Sequence, residues 1–253
     1  MATVTHSNCE LYYERHGKVG APALVFAHGA GGNALSWWQQ IPEFRADHDI
    51  IVFDHRGFGR SPCAPEHYSM GLLGDDLAAI LDAEGIDRAT VVGQSMGGWT
   101  CTQLAAYAPE RVSKVVLCNT PGAIMTDAIV DAFRKTAPIV AEGGLIAHAV
   151  APQTHERDPA LGYLYEQIAA MNPPRPDLNA GSSTIPAEDL ARITAPVHMI
   201  CSDLDTLFPA EALRSVADVL GARSFHVVAG CGHSTYFEKA AEFNALLRQI
   251  LAD

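Results

Sequence analysis

The 253-residue chain carries a formal charge of −12, with 48% of its residues hydrophobic and 18% charged. That length suits one α/β domain with an insertion better than two independent domains, and the apolar fraction is ample for a large core. The acidic balance leaves no basic stripe to neutralise phosphates, which argues against nucleic acid and anionic membranes as partners.

Residues 1–6 lack the basic and apolar stretches of a secretion signal, and no apolar run is long enough to span a bilayer, so a cytoplasmic location is expected. The six cysteines, Cys9, Cys63, Cys101, Cys118, Cys201 and Cys231, show no C-x-x-C spacing. Neither a zinc site nor a disulfide framework is expected from them, and most read as small buried apolar residues. Cys231 precedes His233 by two positions, but one Cys and one His make a poor ligand set. No metal and no cofactor is expected.

Apolar runs and amphipathic segments alternate along most of the chain, as a largely parallel sheet flanked by helices requires. In chain order the pattern predicts an edge strand near 3–7, strands over 10–15, 23–27 and 49–54, and helices near 37–45 and 70–84. A strand over 89–93, a helix over 98–108 and a strand over 114–118 follow. The pattern resumes with a strand at 197–201, a helix at 210–220, a strand at 224–228 and a helix at 239–251. Between about 121 and 193 the strands stop. Helices are expected there over 125–136, 145–150 and 161–171, and Asn172-Pro173-Pro174-Arg175-Pro176 is a rigid break. We therefore expect a core of 1–120 and 194–253, with a helical cap of 121–193 inserted after the sixth strand to cover a substrate.

The β-branched strand at 89–93 runs into Gly93-Gln94-Ser95-Met96-Gly97, a G-x-S-x-G elbow. Such a turn is sharp and strained, and glycines flank the serine because a Cβ there would crowd the backbone. Ser95 is thereby offered as a nucleophile. A serine hydroxyl is weak at neutral pH and needs a histidine base oriented by a carboxylate. His233 has the best position of the eleven histidines, in the glycine-rich loop Ala229-Gly230-Cys231-Gly232-His233 between the last strand and the last helix. Asp203 and Asp205, after the strand at 197–201, are both candidates for the acid.

The order Ser95, acid, His233 is that of the α/β-hydrolase triad. With the elbow, three further segments carry the resemblance: His28-Gly29-Ala30-Gly31-Gly32, Asp54-His55-Arg56-Gly57-Phe58-Gly59-Arg60-Ser61, and Gly232-His233 with Glu238. On these motifs the chain resembles the α/β-hydrolase fold superfamily over nearly its whole length outside the cap, in its compact capped carboxylesterase and 3-oxoadipate enol-lactonase branch. The resemblance implies an α/β fold with a mostly parallel eight-stranded sheet and no metal or cofactor. Asp205 is favoured as the acid, since Asp-x-x-Phe-Pro is similar to the family's Asp-x-x-Val-Pro, leaving Asp203 to cap the turn. The implied oxyanion donors are the backbone N–H groups of Ala30 and Met96. His28 is read as fixing its loop, and the 54–61 run as a structural turn with Arg56 paired to Asp54 or to nearby carbonyls.

Trp37, Trp38, Phe208 and Tyr236 fall in or beside these loops and suggest an apolar substrate pocket. The first functional expectation is hydrolysis of a small apolar ester or lactone. The second is carbon–carbon bond hydrolysis of a ring-cleavage product, which the same residues serve in related enzymes, with perhydrolysis as a possible side reaction. A non-catalytic ligand receptor of the same fold is the third.

Overall fold

The structure, a computed structural model, describes residues 1–179, 181 and 184–253. Its strands are β1 (Ala2–His6), β2 (Cys9–Gly17), β3 (Ala23–Ala27), β4 (Asp49–Phe53), β5 (Ala89–Gln94), β6 (Val112–Cys118), β7 (Val197–Ser202) and β8 (Ser224–Val228). They form one eight-stranded sheet in the order β1-β2-β4-β3-β5-β6-β7-β8. The β1–β2 and β2–β4 pairs are antiparallel and all later pairs parallel. β1 and β2 join through Ser7 and Asn8, both at positive φ (45° and 61°), the backbone a tight two-residue hairpin demands.

Successive residues in the central strands point to opposite faces, and the core divides accordingly. Val25, Ala27, Ile51, Phe53, Val91 and Val115 pack on one face with Leu77, Leu104 and Leu213. Leu24, Phe26, Ile50, Val52, Val92 and Val116 pack on the other with Phe44, Phe243 and Leu247. The covering helices are α1 (Gln40–Phe44), α2 (Leu73–Ala83) and α3 (Gly97–Tyr107). After the helices of the β6–β7 insert come α8 (Ala210–Leu220), α9 (Thr235–Glu238) and α10 (Ala240–Ala252). Burial on both faces explains why the strands read as near-continuous apolar runs.

The insert holds α4 (Asp127–Gly143), α5 (Pro152–Arg157), α6 (Pro159–Ala170) and α7 (Ala187–Leu190). The helix expected over 145–150 is only a 3-10 turn, Ile146–His148, while α5 and α7 are short helices that periodicity does not reveal. Similarly, the 37–45 helix divides into a 3-10 turn, Ala34–Trp37, and α1. Asn33 starts that turn early by accepting the Leu35 N–H, and its N–H is bound by Ser36 Oγ.

One expectation is corrected. Cys9 and Cys63 form a disulfide, because the start of β2 and the chain beyond the β4 turn approach to a Cα–Cα distance of 5.2 Å. Their separation of 54 residues hides this proximity from any local spacing rule. Cys101, Cys118, Cys201 and Cys231 are free and buried. No helix among the described residues is long and apolar enough to cross a membrane.

Candidate active site

The strand order reverses direction at β3, which lies between β4 and β5, so the loops leaving β3 and β5 diverge and open a crevice at their C-terminal ends. Ser95 stands there. Every residue from 89 to 100 is buried except Ser95, which is half-buried. Its φ of 49° is left-handed, a conformation that a non-glycine residue adopts at a cost and that turns the side chain outward. The strained turn is pinned from both sides: Ser95 N–H donates to Cys118 O at 3.1 Å, and Ser95 O accepts from Thr120 Oγ1 at 2.6 Å and from Gly98 N–H at 2.9 Å. A Cβ on Gly93 would stand 2.3 Å from Gly97 O, and one on Gly97 would stand 2.1 Å from Ala27 O. The glycines are thus a requirement of close backbone approach.

The loop after β7 carries both aspartates, and their surroundings differ. Asp205 is buried. Its Oδ1 accepts the N–H groups of Leu207 (2.8 Å) and Phe208 (3.0 Å), and its Oδ2 accepts Asn119 Nδ2 and stands 2.9 Å from His233 Nδ1. A carboxylate at Nδ1 fixes the proton on that nitrogen and leaves Nε2 as the basic one. Asp203 is exposed, and its Oδ1 accepts the Gly230 N–H at 2.7 Å, bracing the His233 loop. The same loop is held by Gln94 Nε2 donating to His233 O at 3.0 Å and by Glu238 Oε1 accepting the Gly232 N–H at 2.9 Å. Glu238 Oε2 also accepts the Ala151 N–H, which ties the loop to the start of α5.

On the opposite side of Ser95, His28 fixes the glycine-rich loop: its Nδ1 faces Gly29 O at 2.7 Å and its Nε2 accepts the His55 N–H at 3.0 Å. Burial holds the imidazoles of His28 and His55 below their ordinary pKa, so both are neutral. Among the described residues the N–H groups of Ala30 and Met96 have no protein acceptor. Arg56 pairs with Asp76, at 2.6 Å through Nε, and donates to His67 O at 2.8 Å, rather than with Asp54. Asp54 instead accepts the N–H groups of Ala34 and Arg60.

Ser95 and His233 both line a narrow cleft with Ala30, Gln94 and Tyr165. Among the described residues no hydrogen bond joins Ser95 Oγ to His233. Ser95, Ala30 and Met96 also line a cavity of about 1000 Å³, walled by Met70, Trp99, Phe133, Val140, Leu207 and Phe208. Of the four expected pocket residues only Phe208 is here. Trp37 and Tyr236 are fully buried against each other and Phe26 in the core of one sheet face, with Trp37 and Tyr236 ring centroids 4.3 Å apart. Trp38 lies against Phe237 on the outer surface. Sequence proximity to the site loops misleads because these three side chains point away from the crevice. Asn119 escaped the sequence reading: it follows β6, carries no motif, and reaches the acid only through the sheet.

A model of the alpha/beta hydrolase fold matches residues 22–172. The chain belongs to the α/β-hydrolase fold family. Among its relatives is a protein named as a carbamate hydrolase, RutD, from Variovorax paradoxus, 31% identical over 96% of each chain. A 3-oxoadipate enol-lactonase from Acinetobacter baylyi is 34% identical over 72% of this chain and 66% of its own. Est816, described as an N-acyl homoserine lactone degrading enzyme, has a solved structure with a TM-score of 0.82. It is 28% identical, covering 98% of this chain and 99% of that one. The α/β-hydrolase therefore has hydrolase-named and lactonase-named relatives, which support an enzyme.

Proposed function

We propose that this α/β-hydrolase cleaves carboxylic esters or lactones through an acyl-serine intermediate, with Ser95 as nucleophile, His233 as base and Asp205 as the acid that orients it. The observation that carries this reading is the 2.9 Å contact of His233 Nδ1 with buried Asp205, in a histidine that shares a cleft with the strained serine. The Ser95 Oγ to His233 Nε2 hydrogen bond forms as substrate enters, since catalytic hydrogen bonds commonly tighten only in the bound complex. His233 takes the hydroxyl proton, Oγ attacks the carbonyl carbon, and the leaving oxygen departs with that proton. Water then attacks the acyl carbon as it gives a proton to the same nitrogen, the acyl–Oγ bond breaks to release the acid, and that proton returns to Ser95 Oγ. The N–H groups of Ala30 and Met96 stabilise the oxyanion, each worth about 3–4 kcal/mol in the transition state. Residues 121–193 serve as a cap over the core of 1–120 and 194–253, and their apolar side chains wall the acyl site.

A carbamate carbonyl is the second reading, favoured by the relative named as a carbamate hydrolase; it asks the same acyl-transfer parts to act on a less electrophilic carbon. The test is the initial rate on p-nitrophenyl butyrate, a simple lactone and a p-nitrophenyl carbamate, for wild type and Ser95→Ala prepared alike. Ester turnover that is lost in the variant supports the proposal, whereas turnover retained in Ser95→Ala, or none by folded wild type, rejects it.

A further inference from the structure

Two spaces open from Ser95. The apolar cavity measures about 1000 Å³, while the narrow cleft measures about 10 Å³, close to the smallest volume that holds one water. Among the described residues His233 lines only the cleft, so proton transfer to its Nε2, the nitrogen that Asp205 leaves basic, takes place on that side. The β6–β7 insert contributes Leu145, Ile146, Ala149 and Tyr165 to the cleft wall, and of these only Tyr165 has a polar side chain.

Tyr165 lies in the middle of α6, and its side chain is buried and held from several directions. Its ring stands edge-on to Phe237 with centroids 5.1 Å apart, and its Oη accepts the Ser234 hydroxyl at 3.3 Å. Ser234 follows His233 in the chain, so that contact ties the phenol to the histidine loop. On the other side, a Cβ added to Gly31 would lie 3.6 Å from Oη, which sets the phenol oxygen against the Ala30 loop as well. Asn33 Nδ2 donates to Ile168 O at 3.1 Å and fastens α6 to the core. Because Oη accepts from Ser234, its own proton is free for another acceptor, and among the described residues none takes it. Burial pushes the phenol pKa up to about 12, so the proton is present throughout the neutral range. A buried hydroxyl with an unused proton, beside the basic nitrogen of the site, calls for an acceptor in the cleft.

We propose that Tyr165 holds the water that deacylates Ser95, its Oη–H donating to the water's oxygen in this cleft while His233 Nε2 accepts one of the water's protons. This rests on the serine-hydrolase reading of the site. With one lone pair bound by the phenol and one O–H directed at the imidazole, the other lone pair is left for the acyl carbon. The new C–O bond forms, the proton passes to Nε2, and the acyl–Oγ bond then breaks. Tyr165 keeps its own proton throughout, so its part is placement of a reacting atom. The acyl group occupies the large cavity during this step, and the cleft is too small to admit it, which keeps the place of the water clear.

Tyr165→Phe removes the donor and keeps the ring against Phe237, and p-nitrophenyl butyrate separates the two half-reactions. With this ester kcat/KM reports acylation, in which p-nitrophenolate departs before the water acts. That value stays within two-fold of wild type, which also shows the variant to be folded. Deacylation is read directly as the decay of butyryl-enzyme, followed by intact mass after acid quenching, and it slows about ten-fold in Tyr165→Phe, as expected for loss of one hydrogen bond to a reacting atom. Phenyl butyrate and p-nitrophenyl butyrate then share one kcat in the variant, since both pass through the same slow step. A decay rate within two-fold of wild type overturns the proposal. So does a fall in kcat/KM as large as the fall in the decay rate, which is the result that a displaced α6 or a lost substrate contact gives. Absence of butyryl-enzyme in wild type, or turnover by Ser95→Ala, would instead reject the serine mechanism, so the two failures are distinct.

Discussion

Asn119 Nδ2 donates to the same Asp205 oxygen, Oδ2, that faces His233 Nδ1, and both distances are 2.9 Å. Asn119 is fixed in turn by Thr235 Oγ1 donating to its Oδ1 at 2.6 Å and by a left-handed backbone (φ 49°) at the end of β6. The amide therefore sets the rotation of the carboxylate that sets the rotation of the imidazole. Asn119→Leu should lower kcat on p-nitrophenyl butyrate about 10- to 100-fold with little change in KM, because orientation rather than substrate contact is lost. A kcat within two-fold of wild type would show that Asp205 needs no such support.

Asp205→Asn keeps the shape but removes the charge and the acceptor that fixes the histidine tautomer. A loss of about 10⁴ in kcat is expected. Asp203→Asn touches only the brace to Gly230 and should cost far less. The reverse ranking would transfer the acid role to Asp203.

Gly97 lies where α3 leaves the serine turn, and a Cβ there would meet Ala27 O at 2.1 Å and His28 O at 2.9 Å. Both are backbone atoms of the neighbouring strand end and cannot rotate away. Gly97→Ala should destabilise by at least about 3 kcal/mol in urea unfolding, or prevent folding, since overpacking against rigid neighbours is costly. Stability equal to wild type would mean that the elbow is far more deformable than its contacts imply.

Arg56 and Asp76 are almost wholly shielded from solvent and joined through two guanidinium nitrogens. Truncating Arg56 leaves the buried Asp76 carboxylate only the partly exposed His6 Nδ1, 2.7 Å from its Oδ1, so Arg56→Met should cost about 3 kcal/mol. Adding Asp76→Leu should recover much of that loss, because a well-packed apolar pair escapes the desolvation penalty. Denaturant midpoints of the two variants decide the matter.

His28 and His55 lie with ring centroids 4.4 Å apart, and burial depresses the pKa of both. An imidazole whose folded pKa lies below its unfolded value of about 6.5 binds protons more readily when unfolded. Stability is then fully present above about pH 6.5 and falls as the pH drops from there toward the depressed folded values. The Tm should decline between pH 7.5 and 5.5, and His55→Gln should flatten that decline. A Tm insensitive to pH over this interval would contradict the neutral buried pair.

Much of this architecture is legible in the sequence because it follows from local periodicity. The strands at 23–27, 197–201 and 224–228 lie on or within one residue of the observed β3, β7 and β8. The elbow is legible for a different reason, since Gly93 and Gly97 are forced by backbone contacts that any such turn makes. The errors share a cause too. Trp37 and Tyr236 sit beside site loops in sequence, but which way a side chain leaves its turn depends on tertiary packing, and here both enter the core. Cys9 and Cys63, like Asn119 and Asp205, meet only after the sheet is assembled, so no spacing announces them.

The central claim is that Ser95 is the nucleophile activated by His233, and covalent labelling with diethyl p-nitrophenyl phosphate tests it most directly. Intact mass should show one diethylphosphoryl group per chain, with p-nitrophenol released in equal amount, and peptide mapping should place the group on Ser95 as esterase activity disappears. Ser95→Ala should take up none, and His233→Ala should label far more slowly. Labelling at another residue, or activity that persists after Ser95 is fully modified, would contradict the account.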